Sequence, residues 1–288
     1  MVEEGAKKIC ETLATDAPFL IGRNGTIETE VAYFWLVNRN GSEKRPYPAG
    51  QRKYLENNAG VFPATDESID RWCQAYAEAL GYLNCCAAGW YAPTVKLEKA
   101  LLDAYAPLTC ARVPLRSLEP YYVPTGLRWT EQLRGRVCVV SSFAETMEKQ
   151  LGKPIWTGDK ASLLDGPKWS FVRTGYAPSV AQGRAGWPPG CESWEEAVSH
   201  VVREVEFTGA NVALIGCGGL GMVIAGRLRQ RGISSIVMGG AVQVLFGIKG
   251  RRWATHDVIS GFWNDAWVPP TADEIPGGAA SVEGGCYW

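Results

Sequence analysis

The stretch ANVALIGCGGLGMVIAGRLRQRGISSIVMGG, residues 210–240, decides how the fold is read. An apolar run, 212–215, meets Gly216-Cys217-Gly218-Gly219-Leu220-Gly221; a helix-like segment follows, and a second apolar run, 234–238, closes the unit. Strand, G-x-G-x-x-G turn and helix in that order form the phosphate-cradling device of dinucleotide-binding folds. The glycines let the backbone turn tightly and approach a ligand closely, while free N–H groups of the helix face it. An acid ending the second strand would complete the dinucleotide version by binding ribose hydroxyls. Met238, Gly239 or Gly240 stands there instead. The turn therefore reads as a phosphate or sugar-nucleotide contact, as an NAD(P) site, or as a strand–helix packing turn without ligand.

Working outward, Ser193 and Glu196 make a capping box for a helix whose buried side is Trp194, Ala197, Val198, Val201 and Val205. RVCVVSS, 136–142, is strand-like, and Ser142 with Glu145 reads as a second capping box, for FAETMEKQL. IWTG and SFVRTG are short strand candidates. Towards the N-terminus, residues 3–13 carry a helical apolar face and PFLIGR, 18–23, reads as a buried strand. Thr26 is placed to cap a helix through IETEVAYFWLV. Residues 41–64 read as loop, a helix follows Asp66, NCCAAG (84–89) reads as a strand, and 105–135 as irregular. Strands alternating with helices predict an α/β, Rossmann-like fold with a mainly parallel sheet and helices on both faces. A boundary near 130 divides an N-terminal α/β part, 1–130, from a Rossmann-like half, 131–288, or both belong to one continuous domain.

The composition is that of a globular chain: 288 residues, 46% hydrophobic and a net charge of −1. Near-neutral charge argues against a general nucleic-acid binder. No apolar run approaches the ~20 residues of a membrane span, and the acidic, amphipathic start is not a secretory signal. Nine scattered cysteines without a C-x-x-C predict reduced thiols in a cytoplasmic protein. Only His200 and His256 are available for histidine chemistry.

Several segments carry a resemblance. IGRNGTIETE, 21–30, contains R-x-G-x-x-E; VVSSFAETMEKQ, 139–150, is a strand–helix unit; the tail holds GGAVQVLFGIKGRRW, 239–253, then FWNDAWVPP and VEGGCYW. Together they resemble glycosyltransferases of the GT-D fold, including largely uncharacterised members from microbes, algae and large viruses. The resemblance implies transfer of a sugar from a nucleotide donor, usually a uridine diphosphate sugar, to the hydroxyl of a glycan or small acceptor. Its metal motif is Asp-x-Glu within R-x-G-Asp-x-Glu. Arg23, Gly25 and Glu28 match that pattern, whereas Thr26 stands at the Asp position. A divalent Mn or Mg ion held by Glu28 would need further oxygen ligands, and Asp66 and Glu30 are not placed by the sequence.

Each candidate also has a structural reading. Glu28 is a metal ligand or general base, or an acid favoured in a first helical turn. Arg23 grips a diphosphate or forms an ion pair. Ser141, Ser142, Gly216, Gly218 and Gly221 approach phosphate oxygens, or only cap and turn the chain. Lys249, Arg251 and Arg252 neutralise a diphosphate leaving group or lie in a solvated loop. Gln243 reads a base or sugar; Trp253, Trp263 and Trp267 stack on rings or anchor loops. His256, beside Asp257, is a general base or a loop histidine, and His200 is solvated. Two other functions compete with the sugar transferase: an NAD(P)-binding oxidoreductase and a non-catalytic nucleotide-sugar binding protein.

Overall fold

In the computed structural model, which describes residues 1–41 and 45–288, the opening stretch forms two neighbouring parallel strands joined by a helix over Gly221–Gln230. These strands are β6 (Val212–Gly216) and β7 (Ser234–Val237) of one seven-stranded sheet. The others are β1 (Leu20–Gly22), β2 (Cys85–Ala88), β3 (Ala111–Pro114), β4 (Arg136–Ser141) and β5 (Lys168–Arg173). The order is β3-β2-β1-β7-β6-β4-β5, and every pairing is parallel. The fold is therefore α/β and Rossmann-like, with helices on both faces. Strands from 1–130 and from 131–288 share this sheet, because β1 pairs with β7 through Leu20↔Ser235 and Ile21↔Ile236.

Alternating residues of the central strands feed two cores. On one face, Cys138, Val140, Ala213 and Ile215 pack with Ile69, Trp72, Val201, Val205, Ile224 and Leu228. On the other, Val137, Val139, Leu214 and Ile236 pack with Ile9, Trp129, Met147, Leu245 and Phe246. Strands buried on both sides explain the near-continuous apolar runs that mark them in the sequence.

The Ser193 cap forms, its hydroxyl accepting from the Glu196 N–H at 3.3 Å. The Ser142 cap does not. The Ser142 hydroxyl instead accepts from Tyr176 at 2.8 Å, and Glu145 pairs with Arg173 at 2.6 Å. The helix 144–150 is capped by the tail: the buried Glu274 carboxylate accepts the Thr146 N–H at 3.0 Å. Gly25, not Thr26, caps the helix Thr26–Arg39. Ala49–Asn57 is a helix within the expected loop, and the expected irregular 105–135 region contains β3; residues 42–44 lie outside the described residues. IWTG is not a strand, whereas SFVR belongs to β5. These misreadings involve short elements whose burial comes from distant partners, which local patterns do not encode. All nine cysteines are free thiols. Among the described residues, no helix is long and apolar enough to cross a membrane.

Candidate functional site

β4 and β6 are neighbours, but the chain leaves them in opposite directions. After β4 it runs through helix 144–150 on one face; after β6 it runs through helix 221–230 on the other. Loops that part in this way leave a crevice at the carboxyl ends of the strands, the usual ligand position in open α/β sheets.

The glycine turn after β6 is tightly packed. A side chain on Gly216 would meet the Gly239 carbonyl oxygen at 2.9 Å; one on Gly218, where φ is +46°, would meet the Ala59 carbonyl oxygen at 2.7 Å. Gly219 donates its N–H to that Ala59 oxygen at 2.8 Å, and Trp72 Nε1 donates to the Gly219 carbonyl at 3.0 Å. Gly221 is buried against Val237. Packing alone therefore accounts for Gly216 and Gly221. The Gly218 N–H has no acceptor among the described residues.

Two adjoining chambers open around this turn. The first, about 130 Å³, has Phe143, Tyr176, Trp187 and Trp288 in its wall, with Ser141, Ser142 and Gln243. The second, about 200 Å³, is polar and is lined by Arg23, Gly25, Thr26, Glu28, Glu119, Arg252, Trp253 and Glu283. Asn58, Ala59, Gly218, Gly239, Gly240 and Tyr287 line both.

In the polar chamber, Arg23 follows β1 and is half-buried, with no hydrogen bond or ion pair to another described residue. Its Nη1 lies 3.7 Å from where a Gly239 Cβ would stand. Glu28 occupies the first turn of helix 26–39, its carboxylate folded back so that any side chain on Gly25 would overlap it. Burial pushes the Glu28 carboxyl up; its own N–H and Arg23 pull it down, and Glu283 adds a further rise. Glu119 is buried and pairs with Arg116 at 2.6 Å, yet burial still raises its carboxyl. Arg252 pairs with Glu283 and donates to the Tyr287 hydroxyl at 3.1 Å. Burial pushes that hydroxyl up to about 12.

In the first chamber, Gln243 Nε2 donates to the carbonyls of Lys249 at 3.1 Å and Tyr287 at 2.7 Å. This fixes the amide orientation, because only the NH₂ side can donate. Gln243 Oε1 is buried without a donor, and so is Trp187 Nε1 without an acceptor. The Ser141 hydroxyl accepts the Phe143 N–H at 3.1 Å.

The fold thus brings Arg23, Gly25, Glu28, Gly218, Arg252 and Trp253 to one chamber and Ser141, Ser142, Gly216, Gly218 and Gln243 to the other. Other candidates lie outside both linings. Lys249 sits 5.4 Å above the Trp263 ring, and Arg251 is exposed and donates to the Gly284 carbonyl at 3.2 Å. His256 faces donors at both ring nitrogens, Arg116 at 3.4 Å from Nε2 and the N–H groups of Val258 and Ile259 at Nδ1. Trp267 is buried and donates to the Ile155 carbonyl at 2.9 Å. Asp66 pairs with Arg52 at 2.9 Å, away from the cleft. Glu119, Glu283, Tyr287 and Asn58 were not singled out by sequence. They come from an irregular stretch, the tail and a helix end, where no motif marks them.

The donor set does not suit a divalent ion. Thr26 is exposed where a second carboxylate would be needed, and among the described residues no three His, Cys, Asp or Glu side chains cluster to hold a metal.

No family model matches the chain, and no curated protein matches it. Among solved structures, the chain is similar to a new glycosyltransferase (DUF1792) from Streptococcus sanguinis, at 10% identity and a TM-score of 0.45, over 84% of this chain and 80% of that one.

Proposed function

We propose that the cleft binds a nucleotide-sugar, a uridine diphosphate sugar by preference, and that the chain is a glycosyltransferase of GT-D type. The observation that carries this reading is the joining of two unlike chambers at Gly218, Gly239 and Gly240. An aromatic chamber with an orphaned amide oxygen suits a nucleobase. A polar chamber with Arg23 and Glu28 suits a diphosphate and the sugar it carries. The R-x-G-x-x-E segment, read from sequence, supplies five of the residues in that second wall: Arg23, Gly25, Thr26, Ile27 and Glu28.

The reaction would be attack of an acceptor hydroxyl on the anomeric carbon. The C–O bond to the diphosphate breaks, and the electron pair leaves with the nucleoside diphosphate. Glu28 orients the hydroxyl and accepts its proton; its raised carboxyl brings it nearer the range in which a general base works. Arg23 and Arg252 stabilise the departing charge. The oxidoreductase reading has less support, since the residues after β7 are the buried Met238 and then Gly239 and Gly240, with no acid at the end of that strand.

The test is a thermal-shift screen with uridine, guanosine and cytidine diphosphates, their sugars, and NAD(H), followed by assay of donor turnover. A ligand at ~100 times its Kd stabilises by about 2.7 kcal/mol. Stabilisation by a nucleotide-sugar with turnover of the donor is expected. A response to NAD(H) alone overturns the reading, and tight binding without hydrolysis or transfer makes the chain a binding protein.

A further inference from the structure

The polar chamber contains anion-binding groups that the protein itself does not use. Of the two arginines in its lining, Arg252 is already held by Glu283 and Tyr287, and Glu119 is paired with Arg116. Among the described residues, the Arg23 guanidinium has no ion-pair partner. It lies against Gly239, whose φ is +60°, and the next residue, Gly240, is right-handed at φ −61° and ψ −14°. Consecutive left- and right-handed residues aim their N–H groups to one side and form a concave anion-binding nest. The Gly239 N–H is taken by the Ile215 carbonyl at 3.2 Å. Those of Gly240 and of Gly218 donate to no described acceptor. Side chains would fill this space: one on Gly240 would come 3.0 Å from the Tyr287 ring. Glu28, Glu119 and Glu283 line this wall, but among the described residues no three such side chains converge as a divalent ion requires.

We propose that the polar chamber holds a diphosphate without a divalent cation, on the Arg23 guanidinium and the free N–H groups of Gly218 and Gly240. This rests on the nucleotide-sugar reading of the cleft for the identity of its ligand. Arg23 then does the work that a bound metal does elsewhere, as a fixed planar fork matched to two phosphate oxygens.

Calorimetric titration of uridine diphosphate into the full chain, once in EDTA and once in Mn²⁺, tests the proposal, with inorganic pyrophosphate in EDTA as a second probe. Affinities in the two buffers should agree within about twofold. Arg23→Gln should weaken both probes about tenfold or more, and Arg23→Lys should fall between, because a point charge replaces a fork. If Arg23→Gln does not fold, the lysine variant and the EDTA comparison still decide. Binding that requires Mn²⁺ overturns the metal-free site and leaves the nucleotide-sugar reading intact. Pyrophosphate binding in EDTA with no binding of any nucleoside diphosphate keeps the anion site and removes the nucleotide-sugar reading. Wild-type affinity in both Arg23 variants, or no binding of either probe, overturns the proposal.

Discussion

The Gly219 N–H and the Ala59 carbonyl oxygen are hydrogen-bonded at 2.8 Å, so a loop from the first half of the chain closes the glycine turn after β6. One N–H of the G-x-G-x-x-G turn is thereby spent inside the protein, and only part of the motif remains for a ligand. The same contact makes Gly218 the most constrained of the three glycines. Gly218→Ala would force a side chain into a left-handed residue and against the Ala59 carbonyl. A loss of roughly 1–3 kcal/mol is expected for such strain, seen as a fall of several degrees in Tm. An unchanged melting curve would show that the turn relaxes freely.

Glu28→Gln should reduce transfer by about 100-fold or more, the usual range for a lost general base. Its effect on stability depends on pH. Because burial raises the Glu28 carboxyl above its ordinary 4.5, the folded state holds that proton more tightly than the unfolded chain. This contribution is complete below pH 4.5 and is lost as pH rises through the folded value. The glutamine variant has no such loss. Its Tm relative to wild type should therefore climb as pH rises above 4.5. A gap that narrows as pH rises above 4.5 would mean Glu28 is stabilised as the anion.

Gly25→Ala separates position from backbone strain. At φ −79° and ψ 158° any residue fits the main chain, but the new methyl would overlap the Glu28 carboxylate. Transfer should fall while Tm moves by less than about 2 °C, because the methyl meets only the far end of the flexible Glu28 side chain, which can turn away. Full activity in this variant would remove Glu28 placement from the mechanism.

Glu274 ties the tail to helix 144–150, accepting the N–H groups of Thr146 at 3.0 Å and Thr271 at 3.2 Å while fully buried. Glu274→Ala orphans the buried Thr146 N–H, at roughly 1–3 kcal/mol, while the half-buried Thr271 N–H keeps the Thr146 hydroxyl at 3.1 Å. Urea denaturation should show that loss with the m-value unchanged. A destabilisation under about 0.5 kcal/mol would mean water replaces the carboxylate.

The sheet was legible where strands are long and buried on both faces, as in 136–142 and 210–240, since apolar runs bounded by turns leave few alternatives. That Arg23, Gly25 and Glu28 share one wall was legible because they lie within six residues of each other. Glu119, Glu283 and Tyr287 were not, because their place depends on how an irregular stretch and a tail cross the ends of distant strands. The Ser142 cap failed for a related reason: a tyrosine from the segment after β5 took the hydroxyl that local sequence assigned to the helix.

The pairing of β1 with β7 also sets when the binding cleft can exist. β1 has three residues, and on one side its neighbour is the last strand of the sheet. Contacts between such remote segments are paid for in loop-closure entropy and form late. During synthesis, Arg23 therefore waits beside an open edge until residues 234–237 have emerged. A nascent polypeptide released before residue 234 carries every letter of R-x-G-x-x-E and no pocket to use it.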